Sequence, residues 1–496
     1  SSSLSSSTKN YKVKHNERVC QWTSQKSLQL IKEKDKWLKK KRKNPRSDYY
    51  RHMVLKTGRE LDLVNKRDFS SFVRRKVSTP DPKKMWRNLN EVLGRKKPSA
   101  SIPEIMCSNV GSAHGFAQSP REVVNLLNTH FASCASKVLD QSPSLPQYVE
   151  YQPISSIRLE APNEEEIKTI INRMKKFSAA GHDGITSRAV KCLSTKLVPL
   201  IVHLVSAIFA TGIFPAQFKT AIVQPIFKSG DKKCPDNYRP ISILPVLSRI
   251  VERIMHRRLF DFFDRHLKLI YKYQFGFRPF SGTENAAIEM VDLLLRSVDS
   301  KKTVTAVFMD LRKAFYIVDH KLLLEVLRKY GVRGKANSLF SSYLSNRSQI
   351  VKSDGVYSDK VPINSGVVQG SCLGPLLFVI FFNAIGSLKI SGRLFLFADD
   401  AVLINVHENN DAVLSTVQRD MSIILSFLKQ RKMLLNASKT KFMVFSSQRE
   451  KFNTLHKIHL GDNLVIDRVG TYKHLGLLLD EKLSFVDHIR ALEKKL

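Results

Sequence analysis

The chain has 496 residues, 43% of them hydrophobic, which suffices to bury a sizeable core and leads us to expect more than one domain. Lys and Arg number 81 against 44 Asp and Glu, a formal charge of +37 that a merely solvated surface does not explain and that suits a phosphate-rich partner. The six cysteines, Cys20, Cys107, Cys134, Cys192, Cys234 and Cys372, form no Cys-x-x-Cys pair, which speaks against a structural zinc and for a reduced, intracellular chain.

The serine-rich start, residues 1–7, has no apolar core behind a basic end, so no signal peptide is read there; without an initial Met, a fragment or a processed polyprotein piece is expected. Residues 1–100 hold 28 Lys and Arg against 9 Asp and Glu, about half of the positive excess. Within them Lys26–Lys43, with Leu28, Leu30, Ile31, Trp37 and Leu38 among lysines, predicts a basic helix. It ends in Lys39-Lys40-Lys41-Arg42-Lys43, either a nuclear-localisation or nucleic-acid patch or a solvated helix end. Lys96–Pro103 reads as a linker and Gln141–Pro146 as a second break.

From Pro162 the pattern alternates helix and strand. Asn163 followed by Glu164, Glu165 and Glu166 predicts a helix start that runs through Ile170, Ile171 and Met174. Leu197–Phe209 predicts a second apolar helix, and Thr220–Phe227 a strand that returns through Tyr238, Arg239 and Pro240 after the turn Lys228–Asp231. Such a hairpin can fold basic side chains over a triphosphate. The longest apolar stretches are Leu197–Ala216, interrupted by His203, Gly212 and Pro215, and Pro375–Ile385, too short to span; both read as core, and no membrane contact is expected.

Thr303–Met309 is a β-branched apolar run that ends at Asp310 and leads into the helix-prone Leu311–Phe315. Glycines at 366, 370 and 374 bracket a loop into a predicted helix Leu376–Ile385; they let backbone approach a nucleotide, and Gln369 can hydrogen-bond the incoming nucleotide or the template. Arg393–Phe397 and Ala401–Asn405 predict a β-hairpin with Asp399 and Asp400 at its tip, and Leu414–Leu428 a further helix. A strand ending in one aspartate opposite a hairpin bearing two is the minimal acidic set for two-metal nucleotidyl transfer.

These segments also resemble, in order, the blocks of a known family. Phe397-Ala398-Asp399-Asp400 resembles the FADD box of reverse transcriptases, and Met309–Phe315 with Val318-Asp319-His320 resembles their motif A as it occurs in non-LTR (LINE-type, jockey-like) retrotransposons. Ala180–Ile185, Asn237–Ile243 and Gln274–Arg278 look like its upstream blocks; Gln369–Pro375, Asn436–Lys441 and Tyr472–Gly476 look like motifs B, D and E. The resemblance covers the chain from about residue 170 to its end.

The resemblance implies an α+β, right-hand polymerase with a ferredoxin-like palm, helical fingers and a partial thumb, preceded by a basic helical extension. The corresponding boundaries are extension 1–100, connector 101–160, reverse transcriptase domain 161–480 with its core at 208–480, and a truncated thumb from 481 to 496. Asp310, Asp399 and Asp400 would hold two Mg²⁺, or Mn²⁺ in their place. Lys228 and Arg239 would face the triphosphate, with Gln369 and Gly370 also at the nucleotide, and Phe315 would stand against the sugar C2′ and select deoxynucleotides. Lys439 would protonate the leaving pyrophosphate or is simply a surface lysine. Gln274 and Arg278 would touch the template, and Tyr472, His474 and Gly476 the primer end. The implied partners are an RNA template, a DNA primer or nicked target DNA, and dNTPs, with synthesis in the nucleus and particle assembly in the cytoplasm.

Two positions depart from the family pattern: Tyr316 stands where motif A carries Asp, and Val368 where motif B carries Pro. Tyr316 is expected to impair folding or activity rather than the metal site. The alternatives are a group II intron-type reverse transcriptase and a catalytically impaired remnant that only binds nucleic acid.

Overall fold

The computed structural model describes residues 23–79, 85–86, 88–89, 106–108, 115–117, 119–133, 155–266, 268–408, 412–446, 456–460 and 464–494, and the chain divides into two compact units, 1–100 and 101–496. The breaks expected at Lys96–Pro103 and Gln141–Pro146 lie outside the described residues, as does the serine-rich start.

The first unit is a helical hairpin. Helix α1 (Gln25–Lys43) begins where the Ser24 side chain accepts the Ser27 N–H, and α2 (Asp48–Val77) begins where Ser47 does the same for Tyr50. Ser27 Oγ donates to Asp68 Oδ2 at 2.8 Å, and Trp37 packs against Tyr49 and Tyr50 with ring centroids 6.1 and 6.2 Å away. The predicted basic helix is therefore present. Helix α2 escapes prediction from the sequence because its buried stripe is thin, reduced to Thr57 and Leu61.

The second unit is mixed α+β. It starts with the strand pair β1 (Met106–Ser108) and β2 (Gly115–Ala117), followed by α3 (Pro120–Ser133). Helices α4 (Glu164–Arg173), α5 (Ser187–Cys192) and α6 (Ser194–Thr211) come next. Helix α6 is long and apolar enough to cross a membrane by length and composition, and it turns Val198, Ile201, Val205, Ile208 and Phe209 into the core.

Strands β3 (Thr220–Phe227) and β4 (Tyr238–Ile243) form the expected hairpin, and α7 (Val246–Phe260) and α8 (Thr283–Asp299) lead to β5 (Thr303–Met309). After α9 (His320–Lys329) and α10 (Gly334–Leu344) come β6 (Arg347–Ser353), β7 (Val356–Tyr357) and β8 (Val361–Ile363), then the buried helix α11 (Gly374–Phe382). The hairpin β9 (Arg393–Phe397) and β10 (Asp400–His407) is followed by α12 (Val413–Gln430) and β11 (Lys441–Phe445). Strands β12 (Lys457–Leu460), β13 (Leu464–Arg468), β14 (Thr471–His474) and β15 (Leu477–Asp480) and helix α13 (Val486–Glu493) complete the described chain.

Two sheets position the site. One has the order β12-β13-β11-β5-β10-β9; the other runs β4-β3-β6-β7, with β8 also paired to β6. Strand β5 is buried along its whole length because both of its faces are covered. Val307 and Met309 join the large cluster with α11 and α12, while Val304, Ala306 and Phe308 join a second cluster with Met290 and Leu294 of α8. A one-residue slip of β5 would exchange these sets and carry Asp310 to the wrong end of the register, so packing on both faces fixes where the aspartate emerges.

Candidate active site

Strands β5 and β10 pair antiparallel with Ala401 opposite Met309, and β10 pairs β9 with Asp400 opposite Phe397. Asp310 therefore leaves the end of β5 beside the turn that carries Asp399 and Asp400. The three carboxylates feel one another. Burial first, then the charges of Asp400 and Asp310, push Asp399 up to about 6. Partial desolvation at the hairpin turn, followed by the Asp310 charge, raises the exposed Asp400 as well.

The carboxylate of Asp310 is braced from the loop before β11. Asn436 Nδ2 donates to Asp310 Oδ2 at 2.9 Å, Lys439 Nζ stands 3.6 Å from the same oxygen, and the Asn436 N–H donates to the Asp310 carbonyl at 2.8 Å. Arg312 N–H likewise donates to Leu434 O at 2.9 Å, and Leu311 bridges Leu435. These long-range bonds replace the helix expected over Leu311–Phe315 by a turn in which Lys313 has φ +49°.

The turn of the β9–β10 hairpin is held from behind by Gln274–Gly276. Gln274, only 2% exposed, accepts the N–H of Ala398 at 3.0 Å and that of Gly276 at 2.9 Å on its Oε1. Phe275 N–H donates to Leu396 O at 2.8 Å. Ala398 has φ +59°, a conformation that costs a non-glycine residue roughly 1–2 kcal/mol and needs such support. A Cβ on Gly276 would lie 2.4 Å from Ala398 N, so only glycine admits this approach. Gln274, expected at the template, thus spends its side chain on the aspartate turn, and Arg278 pairs with Asp264 at 2.9 Å. Gln274→Met keeps the volume and deletes the acceptor, leaving two buried N–H groups unpaired. We expect a loss of about 2–4 kcal/mol in denaturant unfolding; a change within about 0.5 kcal/mol, the usual span of surface substitutions, contradicts the brace.

A cleft of about 1000 Å³ opens beside Asp310 and Asp399, lined also by Lys228, Arg239, Phe315, Gln369, Gly370 and Lys439. Lys228 is lowered by burial and then by Arg239 and Lys439, while Asp310 and Asp400 oppose that shift, so the basic and acidic groups share one field. Phe315 stacks on Phe378 with centroids 4.4 Å apart and meets Phe277 edge-on at 6.2 Å, so its ring is fixed in the wall. The loop entering α11 is anchored from below: the buried Glu252 accepts the Cys372 N–H at 3.2 Å and the Tyr343 hydroxyl at 3.2 Å.

The β14–β15 hairpin lies next to the carboxylates rather than in the cleft wall. Tyr472 stacks on Phe308 with centroids 4.3 Å apart, its hydroxyl reaches Lys439 O at 3.5 Å, and burial and then the charges of Asp310 and Asp400 raise it. His474 is buried against Phe308, and burial drives it down to about 4, so it is neutral. Gly476 has φ +91° and faces open space, with nothing within 4 Å of where a Cβ would stand.

Helix α3 also reaches this cleft. Its His130, Phe131 and Ser133 line it, and His130 and Lys313 both contact Asp236, at 3.3 and 3.0 Å. The segment falls within the expected connector 101–160, to which no site residue is assigned from the sequence. Its local signals are nonetheless present: Ser119 and Glu122 form a capping box around Pro120, and Val123, Leu127 and Phe131 recur every four residues.

Carboxylate oxygens in mutual repulsion are the donor set of a hard divalent cation. Among the described residues no group of three His, Cys, Asp or Glu side chains is already placed to hold an ion. The Oδ2 oxygen of Asp310 is instead engaged by Asn436 and Lys439.

Residues 227–477 match the profile of the family described as reverse transcriptase (RNA-dependent DNA polymerase). The chain is 29% identical over 366 residues to the RNA-directed DNA polymerase from mobile element jockey of Drosophila melanogaster, covering 70% of this chain and 38% of that protein. It is 25% identical over 459 residues to the probable RNA-directed DNA polymerase from transposon BS of the same organism, covering 89% of this chain and 49% of that one. It is 28% identical over 336 residues to the corresponding probable polymerase from transposon X-element, covering 67% and 36%. The chain therefore spans between about a third and a half of the length of these relatives.

Proposed function

The chain belongs to the reverse transcriptase family, and from that premise we propose that it copies an RNA template into DNA as part of a non-LTR retrotransposon protein. The observation that carries this reading is the meeting of Asp310, at the end of β5, with Asp399 and Asp400, at the start of β10, beside a cleft lined by Lys228, Arg239 and Lys439.

Asp310, Asp399 and Asp400 would hold two divalent ions, Mg²⁺ or Mn²⁺. When bound, such ions lower the pKa of an attacking hydroxyl and neutralise phosphate charge. Lys228 and Arg239 would bind the triphosphate of a dNTP, and Lys439, freed from Asp310, would stand near the leaving pyrophosphate. Phe315 would exclude a 2′-hydroxyl from the sugar pocket. Tyr472 and its hairpin would seat the primer end close to the carboxylates.

The strand order β11-β5-β10-β9, with α11 and α12 as the two crossovers, is that of a βαββαβ unit and supports the assignment of residues around it as a ferredoxin-like palm. The β3–β4 sheet with its helices would then be the fingers and α13 the first part of a thumb. Extension of oligo(dT) on poly(rA) by the full chain with Mg²⁺ and dTTP tests the proposal; a chain that binds the duplex without extending it would instead be a nucleic-acid-binding remnant.

The basic first unit would add phosphate contacts and no chemistry. Deleting residues 1–100 is expected to weaken binding to primer–template and to flatten the slope of log K against log[salt], because fewer counterions are released. Extension at saturating template should persist. An unaltered slope would leave these side chains as a solvated linker or an import signal.

A further inference from the structure

Tyr316, the residue that departs from the family's motif A, has a defined partner in the cleft. Its hydroxyl donates to Gln369 Oε1, and both side chains line the cleft. The backbone on either side is fixed. Tyr316 N–H donates to Lys313 O at 2.8 Å, Ser365 Oγ donates to Tyr316 O at 3.4 Å, and a Cβ on Gly366 would lie 2.6 Å from that carbonyl. Gln369 O accepts the Ser242 N–H of β4 at 2.8 Å, and Gly370, at φ +112°, sits so close to Ser242 that a Cβ there would be 2.4 Å from its carbonyl. Gln369 is thus pinned through its main chain by β4 and through its side-chain oxygen by Tyr316.

With its oxygen turned to the Tyr316 hydroxyl, the Gln369 carboxamide directs its two NH₂ donors away from that contact. We propose that Tyr316 is a positioning residue that presents Gln369 as a donor toward the hydrogen-bond acceptors of an incoming deoxynucleotide paired with its template base. The purine N3 and pyrimidine O2 acceptors on the minor-groove edge suit such a donor, because they recur whichever base is copied, so that a well-formed pair is felt without its sequence being read. The inference rests on the polymerase reading and deepens it. Aspartate at the same position, as in the family pattern, is an ionised acceptor and has no proton to donate to the Gln369 oxygen.

The test is single-nucleotide insertion by the full chain on poly(rA)/oligo(dT), comparing wild type with Tyr316→Phe, Gln369→Ala and the double variant, and alongside it the thermal upshift produced by dTTP with Ca²⁺. Tyr316→Phe keeps the ring and deletes the hydroxyl. It should raise KM for dTTP roughly three- to tenfold, the worth of one hydrogen bond, with a smaller change in kcat. The double variant should be no worse than Gln369→Ala alone, since the two residues act through one contact. An unchanged KM in Tyr316→Phe, or effects that add in the double variant, would overturn the positioning role while leaving the polymerase reading intact. A wild type that neither extends the primer nor gains stability from dTTP would defeat that reading, and this inference with it.

Discussion

Asp399→Asn is expected to do two opposite things: abolish primer extension and stabilise the metal-free protein. The loss follows if the side chain shares a divalent ion, because metal stabilisation of developing charge is worth several kcal/mol, and at about 1.36 kcal/mol per tenfold this is about three orders of magnitude in rate. The gain follows from the carboxylate's surroundings. Burial, then Asp400, hold Asp399 at about 6 instead of the usual 3.8. A carboxyl raised on folding binds its proton more tightly in the native state, so stability falls as pH rises from about 3.8 to about 6 and stays at the lower level above it. At pH 8 without metal the variant should therefore be more stable by on the order of 3 kcal/mol, and near pH 4 the difference should vanish. Added Mg²⁺ should restore wild type and leave the variant unmoved. Denaturant unfolding at the two pH values checks the sign; a variant less stable than wild type at pH 8 without metal contradicts the picture of three repelling carboxylates.

Phe315→Ala is expected to relax sugar selection. The ring lines the cleft and is locked by Phe378 and Phe277, so it cannot swing aside to admit a bulkier sugar. Truncation removes the obstacle, and the discrimination between dTTP and UTP in single insertions should fall by roughly 10- to 200-fold, the span associated with small steric differences in a pocket. The variant also loses stacking against Phe378, and a stability cost of about 3 kcal/mol is expected. Selectivity that stays at the wild-type ratio in a folded variant would remove Phe315 from that role.

What the sequence discloses and what it hides follow from the range of the interactions involved. The run Thr303–Met309 and the flanks of Asp399 and Asp400 are apolar and β-branched, so local pattern suffices to place both strands and their terminal aspartates. Gln274 is legible as a motif but not as a brace, because its partner Ala398 is distant in the chain and only the fold brings it near. Leu311–Phe315 has helix-forming composition, yet bonds to Leu434 and Asn436 hold it as a turn. Helix α3 announces itself through Ser119 and Glu122, but nothing in its spacing says that His130 and Phe131 line the same cleft as Asp310. Tyr316 reads as a defect in the motif, whereas the folded chain gives its hydroxyl a partner in Gln369.

Whether the three carboxylates form one metal site is decided by an Mn²⁺ titration of the full chain on primer–template with a non-hydrolysable dNTP, followed by electron paramagnetic resonance. Asp310, Asp399 and Asp400 acting together predict two Mn²⁺ ions per chain with a spin-coupled signal, lost in Asp310→Asn and Asp399→Asn. Saturable binding that is the same in wild type and both variants, or no saturable binding at all, would contradict it.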